Sequence, residues 1–311
     1  MYPEEIEPER LTLPESNHHK IVILTGSSLR HKRFACRLQS EFGAQVVAWF
    51  EFQGEALQLQ QQSPDDKLKD LLKKAKSKAA VNYRKGQFLS MLWSPAEVIA
   101  QKIKLRNYFY QYTKEEQRIF GAEVERLKTK AHLKPIPVRK QDLKSAEFHQ
   151  TLKSLDAYFL LTLGGPLYPQ EVLESVSGLC INQHAGHSPQ YKGSYTTEWE
   201  LYHRNLEFVS STVHITTAKA DAGPILRRSQ PTLSSTDNAG SIFCKVVALG
   251  TELMIDAVHE IMKSKTIEVY PQPKSGHTFK AKDFTDDIAL AISRDIRNKF
   301  IESSLNTQRN Y

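Results

Sequence analysis

Three polar side chains stand directly beyond apolar runs in the second half of the chain, and together they could carry out a reaction. Asn182 and His184 follow the run 179–181, which is short and apolar enough for a buried strand. Asp221 lies in a short loop after a second predicted strand, 211–216. In an open α/β sheet, the loops at the carboxyl ends of the strands shape the crevice where ligands bind. An amide, an imidazole and a carboxylate on two such loops are the outline of a reaction site.

The first part of the sequence predicts elements that would position these loops. Residues 20–24 are apolar after the first position, as expected for a central parallel strand covered on both faces. The turn 26–28 leads into a predicted helix, 29–42, and 46–50 supplies a second strand. A right-handed crossover of this kind makes the two strands parallel.

The turn 26–28 has two interpretations. A helix that starts directly after a strand offers free backbone N–H groups and a positive dipole end, which can hold a phosphate with help from His31, Lys32 and Arg33. Any first β–α turn has this form, however, and a single glycine does not distinguish the two.

Further apolar segments complete the predicted architecture. A strongly buried strand is predicted for 156–163, and helices are predicted for 143–155, 170–176 and 239–262. These patterns predict an α/β fold with a Rossmann-like, mostly parallel sheet flanked by helices. We divide the chain into an N-terminal extension (1–19), a catalytic domain (20–230) with a helical insertion (about 56–133), and a short C-terminal helical and irregular region (231–311).

Three motifs around the candidate site resemble the catalytic signature of the folate-dependent formyltransferases. They are N-x-H at 182–184, S-P-x-Y-x-G at 188–193 and D-A-G-P-I-L at 221–226. The family includes glycinamide ribonucleotide, methionyl-tRNA and amino-sugar formyltransferases. One loop departs from the family pattern, because the usual S-L-L-P is Gly-His-Ser-Pro at 186–189.

The resemblance implies a set of site residues and 10-formyltetrahydrofolate as the formyl donor. The implied catalytic residues are Asn182, His184 and Asp221. The implied cofactor contacts come from the segment after the strand 156–163 and from the Asp221 loop, at Gly165, Leu167, Tyr168 and Ala220. The implied substrate contacts lie in the S-P-x-Y-x-G loop, at Ser188, Tyr191 and Gly193. No metal site is expected.

Formyl transfer to an amine passes through a tetrahedral adduct with a developing oxyanion, and the three implied catalytic residues suit that charge. The amide of Asn182 can donate to the oxygen, and one such donor is worth on the order of 3 kcal/mol. His184 points to the same side of an extended backbone and can act as a general acid. Asp221 can stabilise the charged form of His184 and order a water that removes the amine's proton.

Other polar residues near these three have less defined roles. His214, within the second strand, is either a packed, hydrogen-bonded histidine or a supporting residue of the site. His187 stays unassigned. Thr196, Thr197 and Trp199 are expected to start and pack the next helix.

The acceptor expected from these observations is a primary amine on a small, anionic molecule, with a nucleotide-linked amino sugar as the first choice. A net charge of +7 suits an anionic partner. The region after Asp221 leaves little room for the C-terminal barrel of tRNA-directed members. A hydroxylated amino acid as the acceptor, or a hydrolase that releases formate, are the alternatives within the family, and a homodimer is one candidate assembly.

The alternative from another class is a nucleic-acid-binding protein on the same fold. A basic run at 67–85 and aromatic residues within 93–120 are the features that favour it, because such residues bind single strands by charge and stacking. The two groups are separated in sequence, which favours amphipathic helices instead. Steep salt-dependent RNA binding without folate binding would support the alternative.

The expected compartment is the cytoplasm. Residues 1–15 are acidic and rich in proline, unlike a signal peptide. The three cysteines form no C-x-x-C motif, which favours a reducing compartment. No apolar run approaches the roughly 20 residues of a membrane span.

Overall fold

The computed structural model describes residues 7–53, 95–273 and 276–309, and the chain divides into two compact units. The larger unit comprises Met1–Gln53 and Gln111–Tyr311 and contains the whole candidate site. The smaller unit is Gly54–Tyr110, of which the structure describes the helical residues 95–110. The predicted basic run 67–85 lies outside the described residues.

The centre of the larger unit is a seven-stranded sheet. Its strands are β2 (Ile21–Thr25), β3 (Val46–Phe52), β4 (Ile136–Val138), β5 (Phe159–Leu163), β6 (Leu179–His184), β8 (Ser211–Ile215) and β9 (Ile225–Ser229). The strand order is β4-β3-β2-β5-β6-β8-β9. All pairs from β4 to β6 are parallel, whereas β8 is antiparallel to both β6 and β9. The predicted mostly parallel sheet is therefore confirmed.

Two short strand pairs lie outside this sheet. They are β1 (Glu9–Thr12) with β10 (Thr266–Val269), which is antiparallel, and β7 (Tyr191–Gly193) with β11 (His277–Phe279), which is parallel. The sequence analysis assigned no element to the N-terminal extension, in which the structure has the strand β1. Leu13 directly after β1 is buried and donates its N–H to the carbonyl of Lys265 at 2.9 Å, so this part of the extension packs on the fold.

Helices cover both faces of the sheet. The α-helices of the described ranges are α1 (Leu29–Phe42), α2 (Pro95–Lys128), α3 (Ala146–Ser154), α4 (Gln170–Leu173), α5 (Thr196–Tyr202), α6 (Ala239–Lys263), α7 (Asp286–Arg297) and α8 (Phe300–Arg309). The predicted bounds of α1 are correct, and those of α6 are one residue short. The predicted helices 143–155 and 170–176 are longer than α3 and α4.

The core has two layers because successive side chains of a strand point to opposite faces. In β2, Ile21 and Ile23 face the helices α1 and α6, whereas Val22 and Leu24 face α3 and α4. All four side chains are fully buried. This burial on both faces explains why the strand sequence is continuously apolar.

Because β8 runs antiparallel to β6, Asp221 does not reach the site in the predicted way. Ile215, at the carboxyl end of β8, pairs with Ile181, and Asn182 pairs with His214. The chain therefore leaves β8 beside the middle of β6, and the loop 216–224 brings Asp221 to Asn182. The expectation that both loops leave from neighbouring carboxyl ends was wrong in this respect.

Candidate active site

Strand β6 carries both Asn182 and His184. The sequence placed these residues just beyond the strand, but β6 continues through His184. Since the two residues are two positions apart in an extended backbone, their side chains point to the same side. Asn182 is half-buried, and His184 is buried.

The amide of Asn182 has a defined orientation. The hydroxyl of Thr162, on β5, donates to Asn182 Oδ1 at 2.8 Å. The Nδ2 atom of Asn182 consequently faces the opposite side, 3.3 Å from Asp221 Oδ1 and 3.2 Å from His214 Nε2. The sequence analysis missed Thr162, although a single polar residue inside the apolar run of β5 was a usable signal.

Asp221 lies at the centre of the cluster. Its Oδ2 accepts the backbone N–H of Gly193 at 2.8 Å, and it lies 3.4 Å from His184 Nδ1. Its Oδ1 lies 3.3 Å from His214 Nε2. Burial alone would raise the pKa of Asp221, but the neighbouring His184, His214 and Gly193 N–H outweigh it and hold this pKa well below its ordinary value. The group is therefore a carboxylate.

Both ring nitrogens of His184 have partners within the protein. Nε2 lies 2.9 Å from the carbonyl of Tyr191, which can only accept, so Nε2 carries a proton. Nδ1 faces the carboxylate of Asp221. A ring protonated on both nitrogens would be held here between a carbonyl and a carboxylate. This position of the His184 ring requires a glycine at 186, because a Cβ at Gly186 would lie 2.5 Å from His184 Nε2.

His214 belongs to the same cluster. It is 1% exposed, and its Nδ1 lies 2.9 Å from the carbonyl of Ile215. Its Nε2 is left facing Asp221 and Asn182. Of the two interpretations of His214, the structure therefore supports contact with the site as well as packing.

The three predicted substrate contacts have partners within the protein. Ser188 is fully buried, and its carbonyl accepts from Arg228 at 2.6 Å. The Tyr191 hydroxyl lies 3.0 Å from His203 Nδ1, and the Gly193 N–H holds Asp221. These residues fix the loop shape and the carboxylate, and their contact with a substrate stays a prediction.

Three of the four predicted cofactor residues, Gly165, Leu167 and Tyr168, follow the carboxyl end of β5. Gly165 has a φ of +109°, and a Cβ there would lie 2.8 Å from both Phe52 and the Tyr168 hydroxyl. Tyr168 donates that hydroxyl to the carbonyl of Gly164 at 3.0 Å, and burial raises its pKa. Leu167 is 61% exposed. Ala220 is partly exposed in the Asp221 loop.

At the turn before α1, two of the three residues predicted to help bind a phosphate, His31 and Arg33, do not offer a free positive charge. Burial, with Arg30 nearby, lowers the pKa of His31 well below its ordinary value, so the ring is neutral. His31 Nδ1 accepts the N–H of Ser28 at 3.1 Å. Arg33 is buried and paired with Glu123 at 2.7 Å. Neither residue is placed to bind a phosphate, and only Lys32 of the predicted set stays in consideration.

The residues expected to start and pack the next helix do so. Thr196 and Thr197 both donate their hydroxyls to the carbonyl of Ala185, at 2.7 and 2.8 Å. Trp199 stacks on Phe279, with ring centroids 4.7 Å apart. Helix α5 is thereby tied to the loop that follows His184. His187, in that loop, is buried with Nδ1 3.0 Å from Ser210 Oγ.

The described ranges contain neither a cluster of metal-binding side chains nor a helix that could span a membrane. No group of three or more His, Cys, Asp or Glu side chains there is arranged to hold a metal ion. None of the helices in those ranges combines the length and the apolar character that a membrane span requires.

Sequence comparison finds similar proteins over about half of this chain. A methionyl-tRNA formyltransferase from Thermodesulfovibrio yellowstonii is 29% identical over 148 residues, which cover 47% of this chain and 47% of that protein. One from Acetivibrio thermocellus is 31% identical over 139 residues, 44% of each chain. This chain thus spans about half the length of the curated relatives that it matches.

The fold is also found among solved structures. A sugar N-formyltransferase from Shewanella sp FDAARGOS_354 has a TM-score of 0.50 at 13% identity, over 88% of this chain and 87% of that chain. The family model described as formyl transferase matches residues 19–258, which include every strand of the central sheet and all the clustered residues. This chain therefore belongs to the formyl transferase family.

Proposed function

We propose that this protein transfers a formyl group from 10-formyltetrahydrofolate to a primary amine of a small molecule. The observation that supports the proposal most is the oriented amide of Asn182. Its oxygen is occupied by the Thr162 hydroxyl at 2.8 Å, so its two N–H groups face the cluster. The nitrogen faces Asp221 Oδ1 at 3.3 Å and His214 Nε2 at 3.2 Å, and the oxygen of a bound formyl group would take one of its two hydrogens. A preorganised donor of this kind stabilises the negative charge that develops on that oxygen.

Asp221 and His184 supply charge at the same place. Because the pKa of Asp221 is held well below its ordinary value, the carboxylate is a weak base. It therefore suits the role of stabilising an imidazolium at His184, 3.4 Å away, better than that of removing the amine's proton itself. We assign to a water held by the carboxylate the passage of this proton to solvent, after attack has made the amine nitrogen cationic and therefore acidic. The imidazolium adds positive charge beside the developing oxyanion.

The residues around Gly165 fit the cofactor. 10-Formyltetrahydrofolate supplies the formyl group when it is bound. The exposed Leu167 offers an apolar surface at the carboxyl end of β5. The side of Gly165 where a Cβ would lie is occupied by Phe52 and the Tyr168 hydroxyl, so any larger residue there would displace this packing. Leu167, Gly165 and Tyr168 would hold the pterin, with Ala220 on the opposite loop.

The acceptor that we favour is a nucleotide-linked amino sugar. The net charge of +7 supports an anionic substrate. The second candidate is methionyl-tRNA, because the curated relatives reported above carry that name. The same cluster would also serve a hydrolase that releases formate to water, so free formate must be measured.

The test is a formyl-transfer assay with 10-formyltetrahydrofolate and three acceptor conditions: nucleotide-linked amino sugars, methionyl-tRNA and no amine. We expect transfer to an amino sugar, and a loss of about 10²-fold or more in kcat for Asn182→Ala. His184→Ala is compared with His149→Ala, since His149 Nε2 also meets a backbone carbonyl, that of Leu143 at 2.7 Å, but lies on α3. No binding of a folate analogue by the wild-type protein would contradict the proposal. Formate release in the absence of an amine would show that the protein is a hydrolase and not a transferase.

A further inference from the structure

The segment after β10 returns to the loop that carries Asp221. Tyr270 exchanges both backbone hydrogen bonds with Ile225, at 2.8 and 2.9 Å, which fixes the segment beside the end of that loop. Pro271 and Pro273 follow on either side of Gln272 and restrict its backbone. Gln272 is thereby held opposite the Asp221 loop.

Gln272 binds that loop with both hydrogens of its amide. Its Nε2 donates to the carbonyl of Asp221 at 2.9 Å and to the carbonyl of Gly223 at 2.6 Å. Its Oε1 is buried without a hydrogen-bond partner in the described structure. A buried oxygen without a partner is costly, so the side chain contributes here through its two donors.

The loop that Gln272 binds has an unfavourable backbone. Asp221 has a φ of +46°, which non-glycine residues rarely adopt. A Cβ at Gly223 would lie 1.8 Å from the carbonyl oxygen of Ile215, so the loop also passes very close to β8. Such conformations persist only when surrounding contacts hold them. The Asp221 carbonyl also accepts from the Ser188 hydroxyl, but at 3.5 Å this contact is weaker.

We propose that Gln272 is a positioning residue, which holds the backbone of Asp221 so that its carboxylate stays between His184, His214 and the Gly193 N–H. The carboxylate lies 3.3 to 3.4 Å from three of its partners, so a small displacement would weaken those interactions together. This role rests on the proposed function as far as its effect on catalysis is concerned. Its effect on Asp221 does not depend on any activity.

The test uses Gln272→Met, which keeps the length of the side chain, removes both donors and also removes the unpartnered Oε1. The matched control is Gln230→Met, because the Gln230 amide also donates to a backbone carbonyl, that of Glu207, on an exposed surface. The pKa of Asp221 is measured by NMR in the full chain labelled with ¹³C at its aspartate carboxyls, with Asp221→Asn used to assign the signal.

We expect the pKa of Asp221 to rise toward its ordinary value in Gln272→Met and to stay unchanged in Gln230→Met. In the transfer assay, kcat should fall about 10- to 100-fold while the KM of the acceptor changes little, because a misplaced group affects the reacting step. An unchanged Asp221 pKa in Gln272→Met would overturn the positioning role. If the wild-type protein transfers no formyl group, the proposed function fails, and the titration still decides the role of Gln272.

A second variant, Gln272→Glu, tests the same role independently, in case Gln272→Met does not fold. Its carboxylate repels both carbonyls when ionised, but its protonated form can donate one hydrogen bond. Its kcat relative to the wild type should therefore increase as the pH falls, whereas the ratio for Gln272→Met should stay constant. A constant ratio for Gln272→Glu would contradict the role of the donors.

Discussion

At the scale of single residues, the hydrogen bond from Thr162 helps to orient the side-chain amide of Asn182. An amide can be rotated to exchange its oxygen and nitrogen with little change in shape, so packing alone does not fix it. The Thr162 hydroxyl, fully buried on β5, donates to the oxygen at 2.8 Å, and the carboxylate of Asp221, which can only accept, faces the nitrogen at 3.3 Å. The two contacts together favour one orientation. The donor of the proposed oxyanion site thus depends on a residue that is not expected to contact the substrate.

Thr162→Val tests this dependence. Valine has nearly the same shape and cannot donate, so we expect kcat to fall about 10-fold, part of the loss caused by removing such a donor completely. Thr151→Val on α3 is the control, since the exposed Thr151 hydroxyl also donates to a carbonyl, that of Glu147 at 2.8 Å. Equal kcat values for Thr162→Val and the wild type would show that the amide is oriented by other contacts.

His187 should make stability depend on pH. Burial, with Arg228 nearby, lowers the pKa of His187 to about 3, so the folded protein keeps it neutral. Between the ordinary value of 6.5 and this value, the unfolded chain binds one more proton than the folded protein. The free energy of unfolding should therefore fall as the pH falls, by about 1.4 kcal/mol per pH unit for this one group.

The measurement is urea unfolding at several pH values between 7 and 4. His187→Gln should show a smaller loss of stability over this range than the wild type, and His149→Gln controls for the loss of a histidine elsewhere. The buried Glu200, which accepts the His187 N–H at 2.9 Å, is present in all three proteins, so its contribution cancels in the comparison. Parallel curves for His187→Gln and the wild type would contradict the assignment.

At the scale of elements, the sequence predicts those strands and helices whose buried residues form a continuous or periodic apolar pattern. β2, β6 and α1 were predictable because burial on one or both faces leaves a periodic pattern in the sequence. The polar end of β6 looked like a loop, because Asn182 and His184 are polar for chemical reasons. The candidate site was found through its residue types, while its geometry depends on Thr162, which was missed.

The short strands show why the rest could not be predicted. β1 and β11 have four and three residues, and their sequences are largely polar. Each is a strand only because a distant part of the chain provides a partner, β10 or β7. The antiparallel sense of β8 likewise depends on the path of the chain between β6 and β8, which has no periodic signature.

The pairing of β7 with β11 leads to a prediction about Gly193. This residue has a φ of +94°, and a Cβ there would lie 2.1 Å from the carbonyl oxygen of Phe279 on β11. Gly193→Ala should therefore destabilise the protein by more than the roughly 1–2 kcal/mol of an unfavourable backbone alone, and it should lower kcat because the Gly193 N–H holds Asp221.

Gly43→Ala is the matched control for Gly193→Ala. Gly43 also has a positive φ, +51°, but a Cβ there meets nothing within 4 Å. Urea unfolding of the two variants separates backbone strain, which both share, from the clash with β11, which only Gly193→Ala has. Equal losses of stability in the two variants would mean that β11 moves away without cost.

At the scale of the whole molecule, the net charge of +7 favours anionic partners without saying which one. The two leading acceptors differ in how many phosphates they present. A nucleotide-linked sugar has two, whereas methionyl-tRNA would engage a longer stretch of backbone. Each polynucleotide phosphate that is neutralised on binding releases condensed counterions, whereas a nucleotide is too short to condense them and loses affinity with salt only by screening. The salt dependence of kcat/KM therefore differs between the two acceptors.

The dependence of kcat/KM on salt should therefore separate the acceptors. For a nucleotide-linked amino sugar, we expect log(kcat/KM) to fall with log[salt] with a slope no steeper than about −2, whereas contact with six tRNA phosphates would give about −4. The same amino sugar without its nucleotide is the control, and its slope should be close to zero because it offers no phosphate. A slope near zero for the nucleotide-linked sugar as well would mean that the basic charge of this protein serves another partner. A slope of about −4 with methionyl-tRNA, together with the higher kcat/KM, would instead make tRNA the acceptor.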